Sequence, residues 1–151
     1  MGLPKFWTME DRRYAKEATC YRDLSAVGLR VLERTDRSDP YLPLTIVCGP
    51  ISTGGLGSKE KNIARFSDTI AALKETGLKV FDQIPFEEHI WRIGALPGNN
   101  AESELLSGFY LPLFESGLIK MAYFIPSWES SGGASWEHGQ MERLGIKTIH
   151  I

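Results

Sequence analysis

Ile125-Pro126-Ser127-Trp128-Glu129-Ser130-Ser131-Gly132-Gly133-Ala134-Ser135-Trp136-Glu137 carries an apolar strand end into a loop of small residues and then into a helix. A strand that ends in Gly and Ser just before a helix turns backbone N–H groups and a helix N-terminus toward one point, which suits a phosphate or a carboxylate. Glu137 falls in the first turns of that helix, where the positive end of the helix dipole favours the charged carboxylate. Such a glutamate can serve as a nucleophile or as the partner of a developing cation. It can equally do no more than complement the dipole.

A second loop of the same kind lies far away in sequence. Thr45-Ile46-Val47-Cys48-Gly49 reads as a buried strand and runs into Pro50-Ile51-Ser52-Thr53-Gly54-Gly55-Leu56-Gly57-Ser58, ahead of an amphipathic helix with Ile63, Phe66, Ile70 and Leu73 on one face. In open parallel α/β sheets, ligands bind beyond the carboxyl ends of strands where the strand order reverses, so two such loops at that point would share one pocket. Neither loop carries a common nucleotide signature. A Walker-type loop counted from Gly49 needs Lys where Gly55 stands, and Gly55-Leu56-Gly57 lacks the third glycine of the dinucleotide fingerprint at Glu60.

The rest of the chain alternates. One helix is expected from Met9 to about Glu33, opened by Thr8, followed by a polar linker from Thr35 to Pro43. Strand Leu44–Cys48, helix Glu60–Thr76 and strand Leu78–Phe81 form a βαβ unit with Gly77 as the helix stop. Residues 82–100, rich in Gly and Pro, read as irregular. A helix over 101–115 capped by Asn100, a strand over 119–125, a helix over 134–144 and a strand over 147–151 complete the set. The pattern predicts an α/β protein: a flavodoxin- or Rossmann-like three-layer sandwich with a parallel sheet of four to five strands in the order 2-1-3-4, plus an extra N-terminal helix.

Composition narrows the function. At 151 residues, 42% hydrophobic and 24% charged, the chain can bury a core, and its formal net charge of −2 gives no footprint for a nucleic-acid polymer. Cys20 and Cys48 are far apart in sequence, which fits two reduced thiols and a cytoplasmic location, and no run approaches the length of a membrane span. No metal is implied, because His89, His138 and His150 are not at ligand spacing with cysteines or carboxylates, and His138 reads as a surface group.

Taken together, the residues resemble the nucleoside 2-deoxyribosyltransferase-like superfamily, which includes deoxyribosyltransferases and nucleoside 5′-monophosphate N-glycosidases. The resemblance rests on the strand leading to Gly49-Pro50-Ile51-Ser52, with Asn62 and Phe66 in the next helix. It rests also on Pro126-Ser127-Trp128, then Ser131, Gly133, Ala134 and Glu137, and on Leu144-Gly145-Ile146 before the last strand. It divides the chain into a helical extension and linker over 1–43 and an α/β domain over 44–151.

The resemblance implies a nucleoside or nucleotide as substrate, with no cofactor. Glu137 aligns with the nucleophile that attacks the anomeric carbon; Ser131, Gly133 and Ala134 align with the loop that holds the sugar 5′ group; Gly49, Pro50, Ile51 and Ser52 align with the opposite wall. N-glycosidic cleavage needs a carboxylate on one face of the sugar and a proton donor near the leaving base. Asp82, at the carboxyl end of the second strand, is the first choice for that donor on position, His89 on its titration range, and Glu88, Glu102 and Glu104 are further candidates. The chain departs from the family at Ile46, where a tyrosine usually orients the nucleophile, and at Lys120, often an aspartate. It also stops directly after the last strand, without the segment that completes transferase sites, so a homodimer completed through the N-terminal helix is expected. Trp128 and Trp136 flank the site and can stack on a base or simply pack. A nucleotide-binding or regulatory module without catalysis stands as the alternative.

Overall fold

The computed structural model describes residues 2–151. Its contacts divide the chain into two compact units, one of residues 1–38 with 83–118 and one of 39–82 with 119–151. The boundary expected between residues 43 and 44 is not the one that the contacts draw. Compactness follows neighbours in space, and the segment between the second and third strands packs with the N-terminal helices.

The second unit holds the sheet. Strands β1 (Leu44–Cys48), β2 (Lys79–Val80), β3 (Ile119–Phe124) and β4 (Lys147–His150) are all parallel, in the order β2-β1-β3-β4. This is the expected α/β architecture with the expected strand order, and β1 is buried along its whole length as a central parallel strand should be. Helix α3 (Lys59–Glu75) joins β1 to β2, and helix α7 (Gly132–Leu144) joins β3 to β4. These crossovers step in opposite directions across the sheet, so right-handed connections put the two helices on opposite faces and make three layers. Ser58 caps α3 and Gly145, at φ +70°, ends α7. The pairing of β1 with β3 shifts register after Leu44, skipping Lys120, which is exposed near the amino end of β3.

The first unit is helical. Thr8 and Asp11 form a capping box at the start of α1 (Met9–Glu17), and α2 (Tyr21–Arg37) follows. The single helix expected over 9–33 is therefore two. No Gly or Pro marks the break; the Arg92 guanidinium donates to the carbonyls of Ala15 and Ala18, and the Asn99 amide to that of Thr19. Those carbonyls are satisfied from outside the helix, so the chain can turn there. Residues 82–100, expected to be irregular, contain a 3₁₀ turn (Ile84–Phe86) and helix α4 (Glu87–Gly94). Phe86, Ile90 and Ile93 are buried on it. The helix expected over 101–115 starts after Ala101, not Asn100, and runs as α5 (Glu102–Leu105), a π-helical segment (Leu106–Tyr110) and α6 (Leu111–Phe114). Pro112 lacks the N–H that a regular turn would use here, and the Ser25 hydroxyl donates to the Phe109 carbonyl at 2.8 Å.

Asp11 is the electrostatic centre of this unit. Burial alone would push its carboxyl up, but hydrogen bonds from Arg34, from the Thr8 N–H and hydroxyl and from Arg30 outweigh it and hold Asp11 at about 2.

Candidate functional site

The two glycine loops meet at the carboxyl edge of the sheet, between β1 and β3, where the strand order reverses. Their roots touch first: the Ile125 N–H donates to the Cys48 carbonyl at 2.9 Å, and a Cβ on Gly49 would stand 2.9 Å from the Ile125 Cβ. Only a residue without a side chain lets the strand ends come this close. Further out, the Gly55 N–H donates to the Ser130 hydroxyl at 2.7 Å, while Ser130 itself donates to the Ser127 carbonyl. A Cβ on Gly54, whose φ is +68°, would lie 2.4 Å from the Ser130 carbonyl oxygen.

Asn62 fixes the β1–α3 loop from below. Its amide donates to the carbonyls of Ile51 and Gly54 at 3.0 and 3.1 Å, and its oxygen accepts from the Leu56 N–H at 2.9 Å. Both of its polar atoms are engaged in holding one loop shape, which explains a buried asparagine in the first turn of a helix. Within that loop Gly49 and Pro50 are buried, Ile51 is half-buried and Ser52 is exposed.

On the β3 side, Ser131 is buried and caps α7 by accepting from the Ala134 N–H at 3.2 Å. Gly132 and Gly133 open the helix without side chains, and Ala134 is buried beneath them. Glu137 stands in the second turn and is only 6% exposed, so it is more than a solvated complement to the dipole. Its partner comes from β1. The Cys48 thiol hydrogen-bonds the Glu137 carboxylate, and burial, together with the negative charge of Glu137, pushes the thiol well above its ordinary value. Cys48 therefore stays protonated and acts as a donor. The position expected to orient the nucleophile, Ile46, is fully buried on the same side of β1, two residues short of the strand end. Cys48 is the group that sequence reasoning missed; its place at the last position of β1, directly before Gly49, was the available signal.

Asp82 follows β2 by two residues, and the pairing of Leu44 with Lys79 and of Thr45 with Val80 carries it to the level of Val47, one residue short of Cys48. It pairs with Lys74 at 3.9 Å, both side chains being 40% exposed. Lys120 is remote from the site, at the opposite end of β3 from Phe124.

The remaining proton-donor candidates lie in the helical unit. Glu88, Glu102 and Glu104 are exposed. His89 is buried against Trp7, its Nε2 faces Glu88 at 3.4 Å and its Nδ1 has no partner among the described residues. Burial pushes its titration down, Glu88 opposes that, and Arg92 and Lys16 reinforce it.

The aromatic flank is more organised than its sequence suggests. Trp128 stacks on His138 with ring centroids 4.2 Å apart, and Phe124 meets both rings edge-on. His138 Nε2 lies 3.0 Å from His150 Nε2, and its Nδ1 lies 3.4 Å from Glu142. His138 is thus built into a cluster, not a plain surface group, and one face of Trp128 is already occupied. Cys20 and Cys48 form no disulfide. Among the described residues, no helix is long and apolar enough to cross a membrane. Compared with protein-family models, curated proteins and solved structures, the chain matches none.

Proposed function

We propose that this protein cleaves or transfers the N-glycosidic bond of a nucleoside or nucleotide, with Glu137 as the nucleophile. The observation that carries the reading is the position of Glu137: a buried carboxylate at the switch point of a parallel sheet, held by the Cys48 thiol and reached over a helix N-terminus of small residues. An anomeric carbon losing its base becomes cationic, and a desolvated carboxylate stabilises that charge more strongly than a hydrated one. The covalent intermediate would then be released to water or to a second base with retention at the anomeric carbon. The sugar 5′ group would lie at Ser131, Gly133 and Ala134, and Gly49 to Ser52 would form the facing wall. A homodimer belongs to the same proposal, and light scattering at micromolar concentration tests it.

A second reading has one observation in its favour. The acid first chosen for protonating the base, Asp82, is 40% exposed and already faces Lys74 at 3.9 Å. A site with a nucleophile and no acid binds a nucleotide without cleaving it. Incubation with a panel of nucleosides and 5′-monophosphates, with free base measured by chromatography, separates the two. Catalysis predicts base release that falls by several orders of magnitude in Glu137→Gln, about 5 kcal/mol of barrier. Release at the wild-type rate by that variant would remove Glu137 as nucleophile.

A further inference from the structure

Arg65 lies on α3 one turn beyond Asn62, and its Nη2 would be 3.1 Å from a Cβ built on Gly55. Its Nε and Nη2 are both buried, and neither has a hydrogen-bond partner among the described residues. These two nitrogens form a matched pair: their N–H bonds run parallel along one edge of the guanidinium, the fork that grips two oxygens of a single oxyanion. An arginine side chain cannot relieve its burial by giving up a proton. A buried donor without an acceptor carries its full desolvation cost, and a charged one carries more. The side chain is long enough to swing its fork into water, yet the fork lies under the turn at Gly55.

We propose that the Arg65 fork anchors a phosphate monoester at the β1–α3 loop. Gly55 stands over Nη2 with no side chain of its own, so a shift of the backbone at Gly55 opens the fork to an anion while Asn62 still holds Ile51 and Gly54. The charge around it suits a dianion better than a carboxylate: residues 59–65 carry Lys59, Lys61 and Arg65 against the single acid Glu60. Within the proposed function this selects nucleoside 5′-monophosphates over nucleosides. It rests on that reading for the identity of the molecule that carries the phosphate, but not for the anion site itself.

The test uses the full chain and inorganic phosphate as probe, read by thermal unfolding and by titration calorimetry, with sodium chloride matched for ionic strength. Phosphate should raise the melting temperature saturably where chloride does not. Arg65→Leu should abolish that rise, and Arg65→Lys, a cation without the fork, should weaken phosphate binding about tenfold, the equivalent of about one lost hydrogen bond. If the leucine variant does not fold, the lysine variant decides alone. A wild type with no saturable response, an undiminished response in Arg65→Leu, or wild-type affinity in Arg65→Lys overturns the assignment. The panel of nucleosides and 5′-monophosphates, run alongside, keeps the two proposals apart. Base release without a phosphate response removes the Arg65 site and leaves the glycosidase; a phosphate response without base release does the reverse.

Discussion

Replacing Gly54 by alanine tests whether the two loops form one object. Gly54 sits at φ +68°, and a Cβ there would lie 2.4 Å from the Ser130 carbonyl oxygen and 2.6 Å from its hydroxyl. Gly57 provides the internal control, because its φ is +89° but nothing lies within 4 Å of its Cβ position. Both substitutions incur the left-handed cost of about 1 to 2 kcal/mol, offset by about 0.4 to 1 kcal/mol from the stiffer unfolded chain. Only Gly54→Ala must also push Ser130 away, which costs about 1 to 3 kcal/mol as overpacking. Losing the bond from the Gly55 N–H to Ser130 adds about 0.5 to 1.5 kcal/mol. The difference between the variants should therefore be about 2 to 4 kcal/mol, or roughly 5 to 15 °C in melting temperature for a chain of this size. Matched thermal and urea unfolding of the two variants measures it. Equal stability would mean that the loops do not bear on one another, and the single pocket argued from them would fall.

Two further outcomes concern the ion pairs. Asp11 at about 2 lies below its ordinary 3.8, so its contribution of about 2 kcal/mol is present above pH 4 and is lost as the pH falls toward 2. Acid unfolding of Asp11→Asn should lack that component of the slope and start from a lower stability at neutral pH; a variant with the wild-type slope would refute the assignment. Asp82→Asn should change stability by less than about 0.5 kcal/mol, as expected for an exposed pair at 3.9 Å. It should leave any base release within about threefold if Lys74 holds the carboxylate, and a hundredfold loss would make Asp82 the acid, at about 2.7 kcal/mol of barrier.

The middle of the sheet could be read from the sequence because its two central strands are largely apolar runs bounded by glycine or proline. Leu44–Cys48 and Ile119–Phe124 are bounded by Pro43, Gly49, Gly117 and Pro126, and local chemistry decided them. Helix α4 was hidden because Pro85, Gly94, Pro97 and Gly98 crowd the buried residues Phe86, Ile90 and Ile93. The break between α1 and α2 was invisible for a different reason: its cause, Arg92, lies 74 residues from Ala18. At the site, Glu137, Ser131 and the glycines were visible from residue type and spacing. Asp82 follows the carboxyl end of the second strand as its sequence position suggests, but its pairing with Lys74 depends on the packing of α3 and could not be read locally. Cys48 was passed over because a buried cysteine in a strand looks like any small apolar residue until its neighbour across the fold is known.

The helical unit is assembled from two stretches separated by 44 residues of sheet, helix and loop, and this decides where the gene can be cut. A fragment beginning at Leu44 would look natural on a sequence plot, yet it would keep Phe109, Leu113 and Phe114 while discarding α2, whose Ser25 bonds Phe109 and whose Gly28 packs on Leu113. Half a core would be left facing solvent, the usual origin of insoluble expression. A trimmed version that respects the contacts must delete both stretches together and splice Asp82 to Ile119 with a designed crossover. The region between β2 and β3 therefore cannot be shortened or exchanged on its own, because α2 completes its core.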